Sequence, residues 1–304
     1  MSDASRHEMS QVLETVYGVT PTTPVLTPIR HTSTTLGLSK DSAQSEELHP
    51  NRQIQCFRHG MRQVSGDYGI EFSAESFDDQ LEAVLGGTWT ADVLKAGVVR
   101  RSFSILRHFT DLQSADKPFH LFAGCEYNTL TLSVTPNTIV TGAFGVLGQD
   151  LGVDTVEPTG ATYDASTTDC PFDGFTGEIL EGGVSIGIVT EISLSLDNGL
   201  EPRPVVGDDK TIRPTIGMSN LSGSMTVYFE DSVMLEKFIN ETSSSITLTL
   251  ERGGNSYVID LPNVTYTGGQ PDISGTGSIV LTMPFQALYD ETSESQVSVT
   301  RTIA

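Results

Sequence analysis

Apolar and polar residues alternate with a period of two through much of this chain. Phe103-Ser104-Ile105-Leu106, Thr129 to Val134, Val184 to Leu196, Ser245 to Leu250 and Gly277 to Leu281 alternate or are rich in β-branched residues, and Gly, Pro, Asn and Asp bound them. The pattern predicts a mainly β, antiparallel protein. Two windows switch to the helical period: Ser76 to Leu85 sets Phe77, Leu81, Val84 and Leu85 on one face, and Ser232 to Ile239 does so with Leu235, Phe238 and Ile239. Ser76, and Asp231 or Ser232, are the expected N-caps. Phe77, Leu81 and Phe238, with Trp89 just past Gly86-Gly87, are expected to anchor the helices on the core and not to bind a ligand.

The same order of signals occurs twice. Gly60, Met61, Ser65, Gly66 and Phe72 recur as Gly217, Met218, Ser222, Gly223 and Phe229 at a constant offset of 157, without a gap. In both copies a Gly-Met turn, a Ser-Gly break and a strand lead into the short helix and then another strand. Upstream, Leu48-His49-Pro50 sits roughly where Leu200-Glu201-Pro202 does; downstream, Asn128 to Leu147 runs loosely parallel to Asn263 to Leu281. A unit recurring with matching flanks is the signature of duplication. The length also suits two domains. The expected organisation is a flexible arm at 1–28, one domain at 29–147, a Gly-, Pro- and Thr-rich linker or excursion at 148–182, a second domain at 183–289 and a polar tail at 290–304.

Charge narrows the function. Lys+Arg 17 against Asp+Glu 39 leaves a net charge of -22, and no run offers the clustered cations that neutralise phosphates in a nucleic-acid grip. The hydrophobic fraction of 37% is enough for a packed core. Met1 to Gln11 has no apolar stretch of the kind a secretory signal needs, and no run of about 18 apolar residues predicts a membrane span. Cys56, Cys125 and Cys170 are odd in number and lack a CxxC spacing, which predicts free thiols.

No motif assembles an active site. Gly183-Val184-Ser185-Ile186-Gly187 matches GxSxG, yet a nucleophile elbow needs a helix after the turn, and Ile186 to Leu196 reads as strand. The six histidines never take a ligand spacing, and Gly142 to Gly148 lacks both the glycine spacing and the helix of a dinucleotide site. Acidic pairs such as Asp78-Asp79 and Asp208-Asp209 lack the aromatic cleft of a glycosidase and are expected on solvated faces. No catalytic residue, metal or cofactor is expected.

Glu14 to Pro21, Val64-Ser65-Gly66-Asp67, Asp78 to Trp89, Arg101 to Ile105 and Phe122 to Leu130, taken in order, resemble the tail tube (major tail) proteins of long-tailed bacteriophages. The resemblance covers most of residues 10–150 directly and the second half mainly through the repeat. It implies a β-sandwich or barrel-like tube domain with one flanking helix, shared with contractile-tail and type VI secretion tubes. Six such domains form a ring, and stacked rings form a hollow conduit for DNA. The family has no catalytic residues to carry over, and its pattern does not accommodate residues 148–182. With two domains per chain, a homotrimer would close a pseudo-six-fold ring. The implied partners are the chain itself, tail tip and tail terminator proteins, a tape-measure protein in the lumen and double-stranded DNA that passes without specific binding. No membrane is implied; the place is the virion, after assembly in the host cytoplasm. The alternative is a β-rich virion-decorating or cell-surface binding module.

Overall fold

The computed structural model describes residues 3–273 and 275–304; the first two residues of the expected arm, and Ser274 within the expected second domain, lie outside the described residues. The first half runs through β1 (His7–Leu13), β2 (Val25–Pro28), β3 (Ser33–Thr34), β4 (Gly37–Gln44), β5 (Phe57–Glu71) and α1 (Asp78–Leu85). It continues with β6 (Val93–Lys95), β7 (Phe103–Phe109), β8 (Phe119–Val134), β9 (Thr141–Gly148) and β10 (Asp150–Asp154). After β11 (Thr162–Tyr163) come β12 (Gly177–Glu181), β13 (Val184–Ser185), β14 (Val189–Asp197), β15 (Glu201–Arg203) and β16 (Ile212–Thr215). The chain ends with β17 (Asn220–Tyr228), α2 (Val233–Ile239), β18 (Ser244–Arg252), β19 (Asn255–Tyr266), β20 (Pro271–Asp272), β21 (Val280–Ala287) and β22 (Ser298–Thr302).

Strand pairing follows one order in each half. In the first, β4, β5, β9, β8, β7 and β1 are successive antiparallel neighbours, and β10 extends the pairing along β8. In the second, β14, β17, β21, β19, β18 and β12 follow the same order, with β22 in the place of β10. An irregularity recurs as well: the β7–β8 register shifts between Phe103 and Ile105, and the β18–β19 register between Ser244 and Ile246. The two halves are joined by hydrogen bonds, because the second part of β8 pairs with β14 from Thr129↔Asp197 to Val134↔Ile192. The result is one large open network; no barrel closes among the described residues, which corrects the barrel-like expectation.

Alternation along the strands points one face of each inward. Tyr68 of β5, Phe144 of β9, Tyr127 of β8 and Phe103 of β7 meet with ring centroids 5.5–6.2 Å apart, beside buried Met9, Ile105 and Phe122. Helix α1 closes this core with Phe77, Leu81, Val84 and Leu85.

Several local expectations differ from the structure. The segment read as an arm supplies β1 and β2, with Met9 and Leu26 buried, and the segment read as a tail supplies β22 between β19 and β6, with Val297 and Val299 buried. Residues 148–182 contribute β10, β11, β12 and the buried Phe172. These strands are short, and apolar and polar residues mix in them without regular alternation, so few positions mark the inward face. The Gly-Met turn is absent from the first copy, where Gly60 and Met61 lie inside the unbroken β5, whereas Gly217 and Met218 precede β17. Ser76 does not cap α1; its hydroxyl bonds Ala74 O and Thr167. At α2 the cap-like bond comes from Asp231, whose Oδ1 accepts from Val233 N at 2.9 Å. Ser185 sits in β13, paired with Leu180, where no elbow forms.

Candidate assembly surface

Of the repeated residues, Ser65 and Gly66 lie in β5 and Ser222 and Gly223 in β17, and Phe72 and Phe229 directly follow these strands. Gly66 has φ +145°, and a Cβ there would stand 2.6 Å from the Leu36 Cα; at Gly223 a Cβ would stand 2.5 Å from the Ser193 carbonyl oxygen. At both positions the neighbouring backbone, the Leu36 link between β3 and β4 and the Ser193 carbonyl of β14, stands too close for a side chain. Ser65 lies opposite Gly37 and Ser222 opposite Ser195. Phe72 is buried and Phe229 half-buried; the backbone N–H of each donates to an equivalent carbonyl, Val140 O at 2.9 Å and Ile279 O at 3.0 Å. Gly60 is exposed and Met61 half-buried, and Gly217 and Met218 are exposed.

The register also pairs residues that the ungapped alignment missed. Gly66 faces Val146, which faces Tyr127; Gly223 faces Phe285, which faces Tyr266. Tyr127 donates to Gln11 Oε1 at 2.5 Å, and Tyr266 to Glu181 Oε1 at 3.0 Å. Gln11 and Glu181 hold the same register, opposite Ile105 and Ile246. Each helix adds a polar group to this link: Gln80 of α1 hydrogen bonds Tyr68, and Lys237 of α2 reaches both oxygens of Glu181 at 2.6 Å. Burial, then the Glu181 charge, pushes the Tyr266 phenol far above its ordinary range, so it serves as a fixed donor.

Of the expected anchors, Phe77 and Leu81 are buried, and Phe77 stacks on Phe72 with centroids 6.0 Å apart. Trp89 lies beyond α1, half-buried, its ring edge on Tyr257 and the Arg301 guanidinium 4.5 Å above its face. Arg301 also binds Asp78 and Asp92, so the C-terminal strand is fastened to the first helix. Phe238 packs against the core only in part.

Charged groups tie the halves together beside the β8–β14 joint. Buried Glu126 binds Arg100 and, at 2.6 Å, Arg213 of β16. Asp150 receives Lys210 at 2.6 Å and Arg62 at 3.3 Å; burial works against its charge, but these hydrogen bonds hold its carboxyl below the usual range. Neither cluster was visible in the sequence, because its partners come from segments far apart along the chain, Arg213 from Glu126 and Lys210 and Arg62 from Asp150.

Open strand edges, a projecting hairpin and a groove stand out among the described residues. Among the described residues β3 and β4 pair only with β5, and β20 only with β21, so each leaves one edge without a strand. The β4–β5 hairpin carries residues 40–60 out into solvent, with Leu48, Ile54 and Phe57 exposed. A groove of about 360 Å³ lies between α2, β13 and β17. An open strand edge is a bonding surface for another chain, and one molecule with two such edges is suited to polymerise. Among the described residues, no group of three or more His, Cys, Asp or Glu is placed to hold a metal ion, and no helix is long and apolar enough to cross a membrane. No curated protein sequence matches the chain significantly. The family model for phage tail tube proteins does match, over residues 5–287, and with nearly the whole chain covered, both halves included, this chain belongs to the phage tail tube protein family.

Proposed function

We propose that the chain's two halves are copies of one tube domain, that three chains close a ring of approximate six-fold symmetry, and that stacked rings form the conduit through which double-stranded DNA passes. The pairing of β8 with β14 carries this reading, because it is a junction between equivalent domains already made within one chain. The same positions elsewhere are Gly268 to Ile273, which include β20, and Thr34 to Ser39 in β3 and β4. Joining the first edge of one chain to the second edge of the next repeats the internal junction with the same hand, and a heterologous contact repeated in this way closes a ring. One detail fits the placement: Pro271 has no N–H to offer, and the Leu36 carbonyl that would face it already accepts from Arg107 at 2.6 Å.

The charge suits a conduit. Like-charge repulsion keeps phosphates from adhering to an acidic wall, within the screening length of about 8–10 Å. Residues 1–150 carry net -6 and residues 151–304 net -16, so a wall built from both alternates in field around the ring. The two ends of such a tube call for tail tip and terminator proteins, and its lumen for a tape-measure protein. Cryo-electron microscopy of purified tubes tests the reading. Three chains per ring, with both halves in the wall, are expected; six chains per ring with the second half projecting outward would overturn it.

A further inference from the structure

The two halves differ at the site where the strand pair equivalent to β5 and β9 ends. In the first half Phe172, from the connector, is inserted there: its N–H donates to Phe72 O at 2.8 Å, and its carbonyl accepts from Val140 N at 2.9 Å. Its ring, 1% exposed, packs on Phe72 and Tyr257 with centroids 5.8 and 5.7 Å away. In the second half Phe229 and Ile279 stand where Phe72 and Val140 do, but among the described residues no segment takes the place of Phe172. The apolar groove opens beside this point, lined by Val184, Ile186, Ile188, Val227, Phe229 and Met234, with Val184 68% exposed. Glu230 and Asp231 stand on its rim, both exposed.

We propose that this groove receives the β4–β5 hairpin of a second copy of the chain, with Phe57 as the inserted side chain. The inference rests on the assembly reading above and names one contact within it. Residues 49–62 carry His49, Arg52, Arg58, His59 and Arg62 and no Asp or Glu, a basic stretch in a chain of net charge -22. Arg62 is engaged by Asp150 and Asp209 of its own chain, which leaves Arg52 and Arg58 toward the tip. Phe57 is 59% exposed at the start of β5, and Ile54 near it is also exposed. The β5 arm of the hairpin, with Arg52, Arg58 and an apolar anchor, suits an apolar groove with Glu230 and Asp231 on its rim, while Asp41, Glu46 and Glu47 lie on the β4 side of the hairpin. The Phe57 strand is held in the first half by its pairing with Gln44, and the groove it is proposed to serve is that of another copy.

Cross-linking between two tagged populations tests this. In a background with Cys56→Ser and Cys170→Ser, one population carries Gln55→Cys, which keeps the Phe57 ring, and the other Val184→Cys; they are mixed during assembly and oxidised. A disulfide-linked pair bearing both tags is expected in the assembled fraction and in neither population alone. Rings or tubes without that cross-link overturn the docking and leave the ring reading standing; chains that stay monomeric and unlinked overturn both. As a second measurement, Phe57→Ala should leave the thermal midpoint unchanged and weaken self-association about thirtyfold, as loss of an interface anchor does. Arg58→Glu should weaken it several-fold, with recovery when the partner population carries Glu230→Arg; unchanged assembly in these variants overturns the proposal.

Discussion

Phe172→Ala separates a connector that is part of the core from one that merely spans two domains. The ring is fully buried and touches Phe72 and Tyr257, while its backbone closes two hydrogen bonds that the substitution leaves possible. Removing a buried phenylalanine combines lost transfer energy with a residual cavity and costs about 3–5 kcal/mol. The two aromatic pairs, each worth about 0.5–1.5 kcal/mol beyond burial, place the expectation in the upper part of that range. For a chain of this size the thermal midpoint should fall by roughly 6–15 °C. Three residues downstream, Phe175 is 68% exposed, so Phe175→Ala should stay within about 0.5 kcal/mol. Denaturant titration of both variants, read by circular dichroism and by tryptophan fluorescence from Trp89, measures the difference. A loss below about 1 kcal/mol for Phe172→Ala, or equal effects for the two, would refute the claim that the connector completes the first core.

Three further outcomes follow from the geometry. Gly66→Ala and Gly223→Ala should each destabilise the fold by about 1–3 kcal/mol through overpacking, seen by calorimetry, and a neutral result at either would mean that the neighbouring strand can yield. Phe77→Ala should cost about 3–5 kcal/mol and Phe238→Ala only about 1–2 kcal/mol, since Phe77 is buried and Phe238 half-buried; equal losses in denaturant midpoints would contradict this. Burial, then the charge of Arg107 and the neighbouring His31, His120 and His108, holds His7 down at about 4 from an ordinary 6.5. The folded chain then binds fewer protons than the unfolded one between those values, so stability should rise with pH from 4 to 6.5 and be lost as pH falls, and His7→Gln should flatten that slope in pH-dependent melting.

How far the fold was legible depended on how many residues share a constraint. Long strands such as β8 and β14 alternate over six or more positions, and both helices show their apolar face, so these elements stood out. The offset of 157 was visible in part because Gly66 and Gly223 each have neighbouring chain too close for a side chain, Leu36 at the first and Ser193 and Phe285 at the second. Beyond the helices the ungapped alignment drifts: α1 is separated from β7 by a longer stretch, including β6, than α2 is from β18. The equivalence of Tyr127 with Tyr266 therefore lies at an offset of 139, and the looser match of Asn128 with Asn263 was four residues out of register. The ion clusters at Glu126 and Asp150 left no local signal, because each reaches from the first half to a distant residue of the second, Arg213 and Lys210. The exposed hairpin was missed because its charges and apolar residues are unpatterned until pairing makes them one projecting strand pair.

The Tyr127–Gln11 and Tyr266–Glu181 links allow the equivalence of the two halves to be tested energetically. Both fasten the first strand of a half to the centre of its sheet, yet one is neutral and the other carries a carboxylate that Lys237 neutralises from α2. The Glu181 side chain is buried and also accepts from Ser244 Oγ at 2.6 Å, so its hydrogen bonds are satisfied only while the ammonium stays. Lys237→Met should then cost about 3–5 kcal/mol, because it strands a buried charge. Adding Glu181→Gln gives the second half the amide acceptor that the first half already uses beneath Tyr127, and removes the charge that Lys237 offset. The double variant should recover most of the loss, and a double-mutant cycle measures how much. If the double variant is no more stable than Lys237→Met alone, the position of Glu181 depends on its charge in a way that Gln11 does not. The shared register would then reflect common strand order without a common means of holding the helix to the sheet.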